Sequence, residues 1–339
     1  VDERKRPDMR HGGNLNEAQK QFGRPTADWL DLSTGINPIP YPFSTPDSFS
    51  WSRLPQADRE GALIEAARRA YRVSPVAHIV CAPGTQILIQ LAARLRPGVS
   101  VEIVSPTYSE HRSAWQLEGG EVRDVPDLPE RTNADVVVVA NPNNPDGRRW
   151  TPLQLSALRE HLAGREGLLV VDEAFADIDP SLSMAPHAGP AGLLVLRSFG
   201  KFYGLAGVRL GFAIGAAEDI SRLAAWLGPW AVSGPAIEIG IEALSDELWA
   251  DAMRGRIAEL SGQLTRLLCA NGLSVIGNAG LFILAEHPRA RAIYEELGRA
   301  GILVRVFDYA PTWLRFGLPE PSQFERLETA LAEAVRRVA

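Results

Sequence analysis

The chain has 339 residues, 45% of them hydrophobic, with 35 Lys and Arg against 41 Asp and Glu for a net charge of −6. That length and apolar share support one big domain plus a smaller one, and an acidic balance without a basic block argues against a phosphate-tracking nucleic-acid surface, leaving small molecules as the expected partners. No apolar stretch follows the charged opening VDERKRPDMR and the longest aliphatic runs are only strand length, so no membrane contact and a cytoplasmic location are expected.

In chain order, the first forty residues are rich in Gly, Pro and Asn (HGGNLNE, STGINPIPYP) and have too little apolar periodicity for a core of their own; they are expected to pack on the small domain. From Ala77 short aliphatic runs alternate with amphipathic stretches. AHIVC (77–81), VEIVS (101–105), ADVVVVANP (134–142), GLLVVDEAF (167–175) and GLLVLRSF (192–199) are apolar throughout, which predicts strands covered on both faces of a mostly parallel sheet flanked by helices, an α/β fold. TPLQLSALREHL (151–162) reads as a crossover helix with Thr151 as N-cap, Pro152 in its first turn and Leu155, Leu158 and Leu162 on one face. After Trp230 helical segments come first, with ELSGQLTRLLCANG the clearest, then strand-like LSVIG, GLFILAE, GILVRV and TWLRFGL, then a closing helix with Phe324, Leu327, Leu331 and Val335 on its buried face. The expected division is 1–44 as an N-terminal segment, 45–230 as the large domain and 231–339 as a small α+β domain.

Cys81 and Cys269 lie in no CxxC arrangement, and the six histidines show no HxxxH or HxH spacing, so no metal site is expected. In a doubly wound sheet ligands sit outside the carboxyl ends of the strands, and several polar residues fall there. Gly84, Thr85 and Gln86 open a helix, where backbone N–H groups and a hydroxyl can hold a phosphate. Asn144 ends the NPNNP turn, Asp172 ends LLVV, and Lys201 and Arg209 lie in SFGKFYGLAGVRLG. Each alone has an ordinary explanation as a cap, turn or surface residue. Together they answer one chemistry. A lysine in an uncharged, glycine-rich loop is poorly hydrated, which favours its neutral nucleophilic amine and a Schiff base with a carbonyl. Pyridoxal phosphate offers that carbonyl and also needs an acid at its ring nitrogen, a polar partner for its ring hydroxyl, a flat side chain against the ring and a phosphate cup. Asp172, Asn144, Tyr108 and the set Gly84, Thr85, Gln86, Ser198 and Arg209 answer these needs in turn, the guanidinium suiting a phosphate.

GTQ, SPTY, NPNNPDG, VDEAF, SxxK and GLAGVRLG occur in the order that resembles the fold-type I pyridoxal-phosphate enzymes, the aspartate-aminotransferase-like family, and within it the histidinol-phosphate aminotransferase branch. The resemblance implies a cofactor linked to Lys201, Asp172 at its ring nitrogen, Asn144 at the ring oxygen, Tyr108 stacked on the ring, and a homodimer with active sites near the subunit interface. HGGNLNEAQKQFG followed by WLDLSTGINPIPYP resembles a specialised branch, the threonine-phosphate decarboxylases of cobalamin biosynthesis. That implies L-threonine O-3-phosphate as substrate and carbon dioxide with (R)-1-amino-2-propanol O-2-phosphate as products.

The substrate clamps decide such a reaction, because the Cα bond held perpendicular to the cofactor ring is the one that breaks. Arg315, in WLRFGLP, matches the family's carboxylate-binding arginine, and Arg305, in ILVRV, resembles a second arginine of the decarboxylases. His11, Gly12 and Asn37 are the candidates for the substrate phosphate, with a tail and an Asn-Pro turn as the competing readings. Three positions depart from the family pattern: Phe175 where a tyrosine is common, Leu54 in Arg53-Leu54-Pro55 where a tyrosine reaches the neighbouring subunit's cofactor phosphate, and His111, to which no role is assigned. Two other readings compete: an aminotransferase acting on histidinol phosphate or a related amino acid, and a non-catalytic regulatory module, which the acidic balance and the missing helix-turn-helix domain disfavour.

Overall fold

A computed structural model describes residues 12–338. Contacts gather the chain into two units, one formed by the segment ending at Ile39 together with Gly255 onward, the other by Pro40–Arg254. These boundaries fall at 39/40 and 254/255, whereas composition suggests 44/45 and 230/231. Helix Gly234–Ser245, which follows the change of character at Trp230, packs along helix Ala57–Ala70 in the larger unit. The second boundary lies inside helix Glu247–Ala270.

The larger unit is built on a seven-stranded sheet in the order His78–Ala82, Gly211–Gly215, Leu193–Ser198, Leu168–Asp172, Val136–Ala140, Ser100–Val104, Glu121–Val125. All strands run parallel except Gly211–Gly215, which is antiparallel to both neighbours. Every residue of Val136–Ala140, Leu168–Asp172 and Gly211–Gly215 is buried, as a sheet covered on both faces requires. Helices Thr85–Leu95, Ser109–Leu117 and Ala217–Leu227 contribute Leu88, Leu91, Trp115, Ile220 and Leu223 to one apolar cluster with the strands. Helix Pro152–Ala163 begins in a capping box between Thr151 and Gln154 and buries Leu155, Leu158 and Leu162.

Two strands escape the sequence pattern. Glu121–Val125 is an edge strand with charges at Glu121, Arg123 and Asp124, so it carries no apolar run. Gly211–Gly215 follows directly on the glycine-rich GLAGVRLG segment.

In the smaller unit, strands Arg305–Phe307, Ala310–Gly317, Phe282–Glu286 and Ser274–Asn278 form an antiparallel sheet in that order. Leu30–Asp31 pairs in parallel with Ile302–Leu303, and the Gly317 N–H donates to the Leu32 carbonyl at 2.7 Å, which ties the early segment to the late strands. The closing helix Phe324–Val338 buries Ala334 rather than Val335, which is half-buried.

Candidate active site

Because Gly211–Gly215 runs against its neighbours, its amino end shares a rim with the carboxyl ends of the six parallel strands. Gly211 stands opposite both Ala82 and Ser198. One rim therefore receives Gly84–Gln86 after His78–Ala82, Tyr108 after Ser100–Val104, Asn144 after Val136–Ala140, Asp172, Ser198 and Lys201, and Arg209 arriving from the other direction. Five strand spacings of about 4.8 Å separate His78–Ala82 from Ser100–Val104, and the segments beyond them close that distance, since the Tyr108 hydroxyl reaches Gln86 at 3.0 Å.

Hydrogen bonds and ring contacts link Arg209 to Asp172 through the rim. Arg209 has a left-handed backbone (φ 56°), and its guanidinium lies on Gly84. A Cβ built on Gly84 would sit 2.5 Å from Arg209 Nη2 and displace the guanidinium, and with φ +88° any side chain there is also strained. Thr85, first residue of helix Thr85–Leu95, donates its hydroxyl to the Arg197 carbonyl at 3.2 Å. Gln86 accepts the Tyr108 hydroxyl at 3.0 Å and donates to Glu110 at 3.1 Å. Burial pushes the Tyr108 hydroxyl up to about 12, with Glu110 and Asp172 adding to the shift, so it stays a neutral donor at physiological pH. The Tyr108 ring meets His111 edge-on at 6.3 Å, and His111 Nε2 lies 2.9 Å from Asp172 Oδ2. Asp172 also accepts from the Ala174 N–H at 3.0 Å.

His111 is thus the residue that sequence reasoning left without a role. It is 1% exposed and holds the buried carboxylate of Asp172. Its spacing of three from Tyr108, across the start of helix Ser109–Leu117, was the available signal. Asn143, also passed over, braces the NPNNP turn beside Asn144: it accepts from the Thr107 hydroxyl at 2.8 Å and donates to the Pro106 carbonyl at 2.9 Å. Asn144 itself is half-buried.

Lys201 sits in the short helix Phe199–Phe202, opened by Ser198. Phe199 and Phe202 are buried on either side of it, and Tyr203 stacks on Phe199 at 4.7 Å and on Trp249 at 5.6 Å. The aromatic packing anchors the helix, in which Lys201 is half-buried. Phe175 is buried and brings no hydroxyl, while Leu54 is 58% exposed.

Of the candidates for substrate, His11 lies outside the described residues; the rest belong to the smaller unit. Arg305 and Arg315 stand opposite each other on adjacent strands. Arg315 is buried, donates to the Ser33 carbonyl at 2.7 Å and lies over the Phe282 ring at 4.9 Å. Burial, then the neighbouring Arg305, pull its guanidinium down to about 10. Gly12 packs on the same Ser33 carbonyl, where a Cβ would come within 2.2 Å of the oxygen. Asn37 is buried and accepts from the Ile39 N–H at 3.0 Å. Gly12 and Arg315 thus converge on Ser33, while Asn37 forms a local turn.

The model of the family "Aminotransferase class I and II" matches residues 50–331. The chain belongs to the class I and II aminotransferase family. Within this family it is 45% identical over 326 residues to a threonine-phosphate decarboxylase of Sinorhizobium sp, covering 95% of this chain and 97% of the relative. It is 42% identical over 331 residues to the threonine-phosphate decarboxylase of Pseudomonas aeruginosa, with 95% and 97% covered. Among solved structures, a histidinol-phosphate aminotransferase from Sinorhizobium meliloti in complex with pyridoxal-5'-phosphate shares the fold with a TM-score of 0.84 at 22% identity, covering 100% of this chain and 99% of that one.

Gly84→Ala should cost about 1–3 kcal/mol, because it adds a strained φ and displaces Arg209. Chemical denaturation checks this, and an unchanged midpoint would refute the close packing.

Proposed function

We propose that this protein decarboxylates L-threonine O-3-phosphate with pyridoxal phosphate, releasing carbon dioxide and (R)-1-amino-2-propanol O-2-phosphate. The observation that carries the choice of reaction is the identity of 42–45% along nearly the whole chain with threonine-phosphate decarboxylases.

The rim suits the cofactor. Gly84 leaves Arg209 a place against the start of a helix whose first N–H groups point outward, the arrangement a phosphate needs. Gly84, Thr85, Gln86, Ser198 and Arg209 would hold the phosphate, Asp172 the ring nitrogen, Asn144 the ring oxygen, Tyr108 the ring face and Lys201 the aldehyde carbon. When bound, pyridoxal phosphate supplies a carbonyl for the substrate amine and a ring that takes up the electron pair left by the departing carboxylate.

This chain's own residues do the rest. His111 keeps the Asp172 carboxylate fixed at the end of its strand. The aromatic packing around Phe199–Phe202 holds the Lys201 amine in place for moving a proton. Arg305 and Arg315 bind and orient the substrate carboxylate, so that its bond to Cα breaks rather than the Cα–H bond. Two guanidiniums facing each other across a ladder make a locality that favours an anion. Gly12, Asn37 and His11 are proposed for the substrate phosphate.

The protein is further proposed to work as a cytoplasmic homodimer. Phe49, Trp51 and Leu54 are each more than half exposed along one short stretch, an apolar surface of the kind subunits cover. Cys81 and Cys269 form no disulfide, in keeping with a reducing compartment. Among the described residues no helix is long and apolar enough to cross a membrane.

Three outcomes are expected. The holoenzyme given threonine phosphate alone should release carbon dioxide and form aminopropanol phosphate by mass; dependence on 2-oxoglutarate with glutamate as product would establish the aminotransferase instead. Arg315→Ala should raise KM and lower kcat together, with kcat/KM down about 100-fold, whereas unchanged kinetics would remove it from the site. Sedimentation should give twice the chain mass for the wild type and a monomer for Trp51→Glu; a wild-type monomer would refute the dimer.

A further inference from the structure

On the sheet face opposite Ser198 lies a buried ionic cluster that the proposed reaction does not use. Arg197, the residue before Ser198, is 3% exposed. Its Nη1 lies 2.8 Å from Glu173 Oε2 and its Nη2 2.8 Å from Asp177 Oδ1, with the guanidinium carbon 4.2 Å above the Tyr71 ring. Glu173 also accepts from the Ser183 hydroxyl at 2.6 Å and from the Met184 N–H. Burial raises the Glu173 carboxyl against the pull of Arg197 and raises the Tyr71 phenol well above its ordinary value.

Stability alone does not account for this cluster. A buried ion pair is commonly matched or bettered by apolar residues of the same volume, and a polar network helps the fold most when every member is bonded. Here, among the described residues, Arg197 Nε and Asp177 Oδ2 are buried without hydrogen-bond partners. The cluster's placement supplies the reason. Glu173 follows Asp172 directly, Arg197 precedes Lys201 by four residues, and the Arg197 carbonyl accepts the Thr85 hydroxyl at 3.2 Å. Asp177 is held in turn by Arg254, whose Nε donates to its carbonyl at 2.8 Å. The guanidinium ties the exit of Leu193–Ser198 to Glu173 and Asp177 beyond Leu168–Asp172, while the main-chain carbonyl of the same residue receives Thr85 at the start of Thr85–Leu95.

We propose that Arg197 is a positioning residue: by bridging Glu173 and Asp177 it fixes Asp172 and Lys201, at the exits of two neighbouring strands, in the arrangement that holds the cofactor in one orientation. This rests on reading the rim as a pyridoxal-phosphate site. A lysine in its place keeps the charge but cannot span both carboxylates with a planar fork.

The test compares the holoenzyme with Arg197→Lys and with the neutral triple variant Glu173→Gln, Asp177→Asn, Arg197→Met. Three quantities are read: melting temperature, dissociation constant for pyridoxal phosphate, and visible circular dichroism per bound cofactor. The triple variant should melt near the wild type. Its cofactor should bind roughly tenfold more weakly, as when outer partners of a ligand shell are lost, and show a reduced dichroic signal, with Arg197→Lys between the two. Wild-type cofactor affinity and dichroism in Arg197→Lys would overturn the proposal whatever its melting temperature, and that variant decides alone if the triple variant does not fold. A wild-type chain that takes up no pyridoxal phosphate would overturn the cofactor reading itself, a result distinct from either variant's.

Discussion

The arrangement of the rim depends on one hydrogen bond, the 2.9 Å contact between His111 and Asp172. A carboxylate at the end of an entirely apolar strand is costly to bury unless it is bonded. The imidazole meets that need from a different helix and so ties Ser109–Leu117 to Leu168–Asp172. Once that helix is placed, its preceding residue Tyr108 is placed too, and through Gln86 so is the start of Thr85–Leu95. A single buried polar demand thereby aligns three segments that are distant in the sequence.

The sheet contributes a second constraint through its one antiparallel strand. Had Gly211–Gly215 run with its neighbours, Arg209 would have been left at the far end of the sheet. Reversed, it delivers a guanidinium to the edge where Gly84 has no side chain to obstruct it. The larger unit gathers the residues proposed for the cofactor at one rim, while the smaller unit sets Arg305 opposite Arg315 on adjacent strands.

Much of this was legible in the sequence because the signals were local. Strands buried on both faces announce themselves as unbroken Val, Leu and Ile, and Thr151 with Pro152 marks a helix start through chemistry confined to one turn. The order of the motifs identified the family. What stayed hidden depended on tertiary register. Glu121–Val125 lacks an apolar face to reveal it because it is an edge. His111 differs from any core histidine only in the partner it meets. The opposition of Arg305 and Arg315 follows from a register shift after Val306, which no spacing rule yields. The cluster around Arg197 was invisible for the same reason, since its charges lie up to 24 residues apart and look like ordinary strand-end and turn residues.

Arg209 shows what such a site means for variation. Its backbone adopts a conformation that glycine enters at least cost, while the role proposed for its side chain, meeting a phosphate, calls for a guanidinium. Folding and chemistry therefore ask for different amino acids at one codon. Selection for abundance would drift toward glycine there and selection for growth would hold arginine, so the two kinds of mutational scan should rank this position in opposite order.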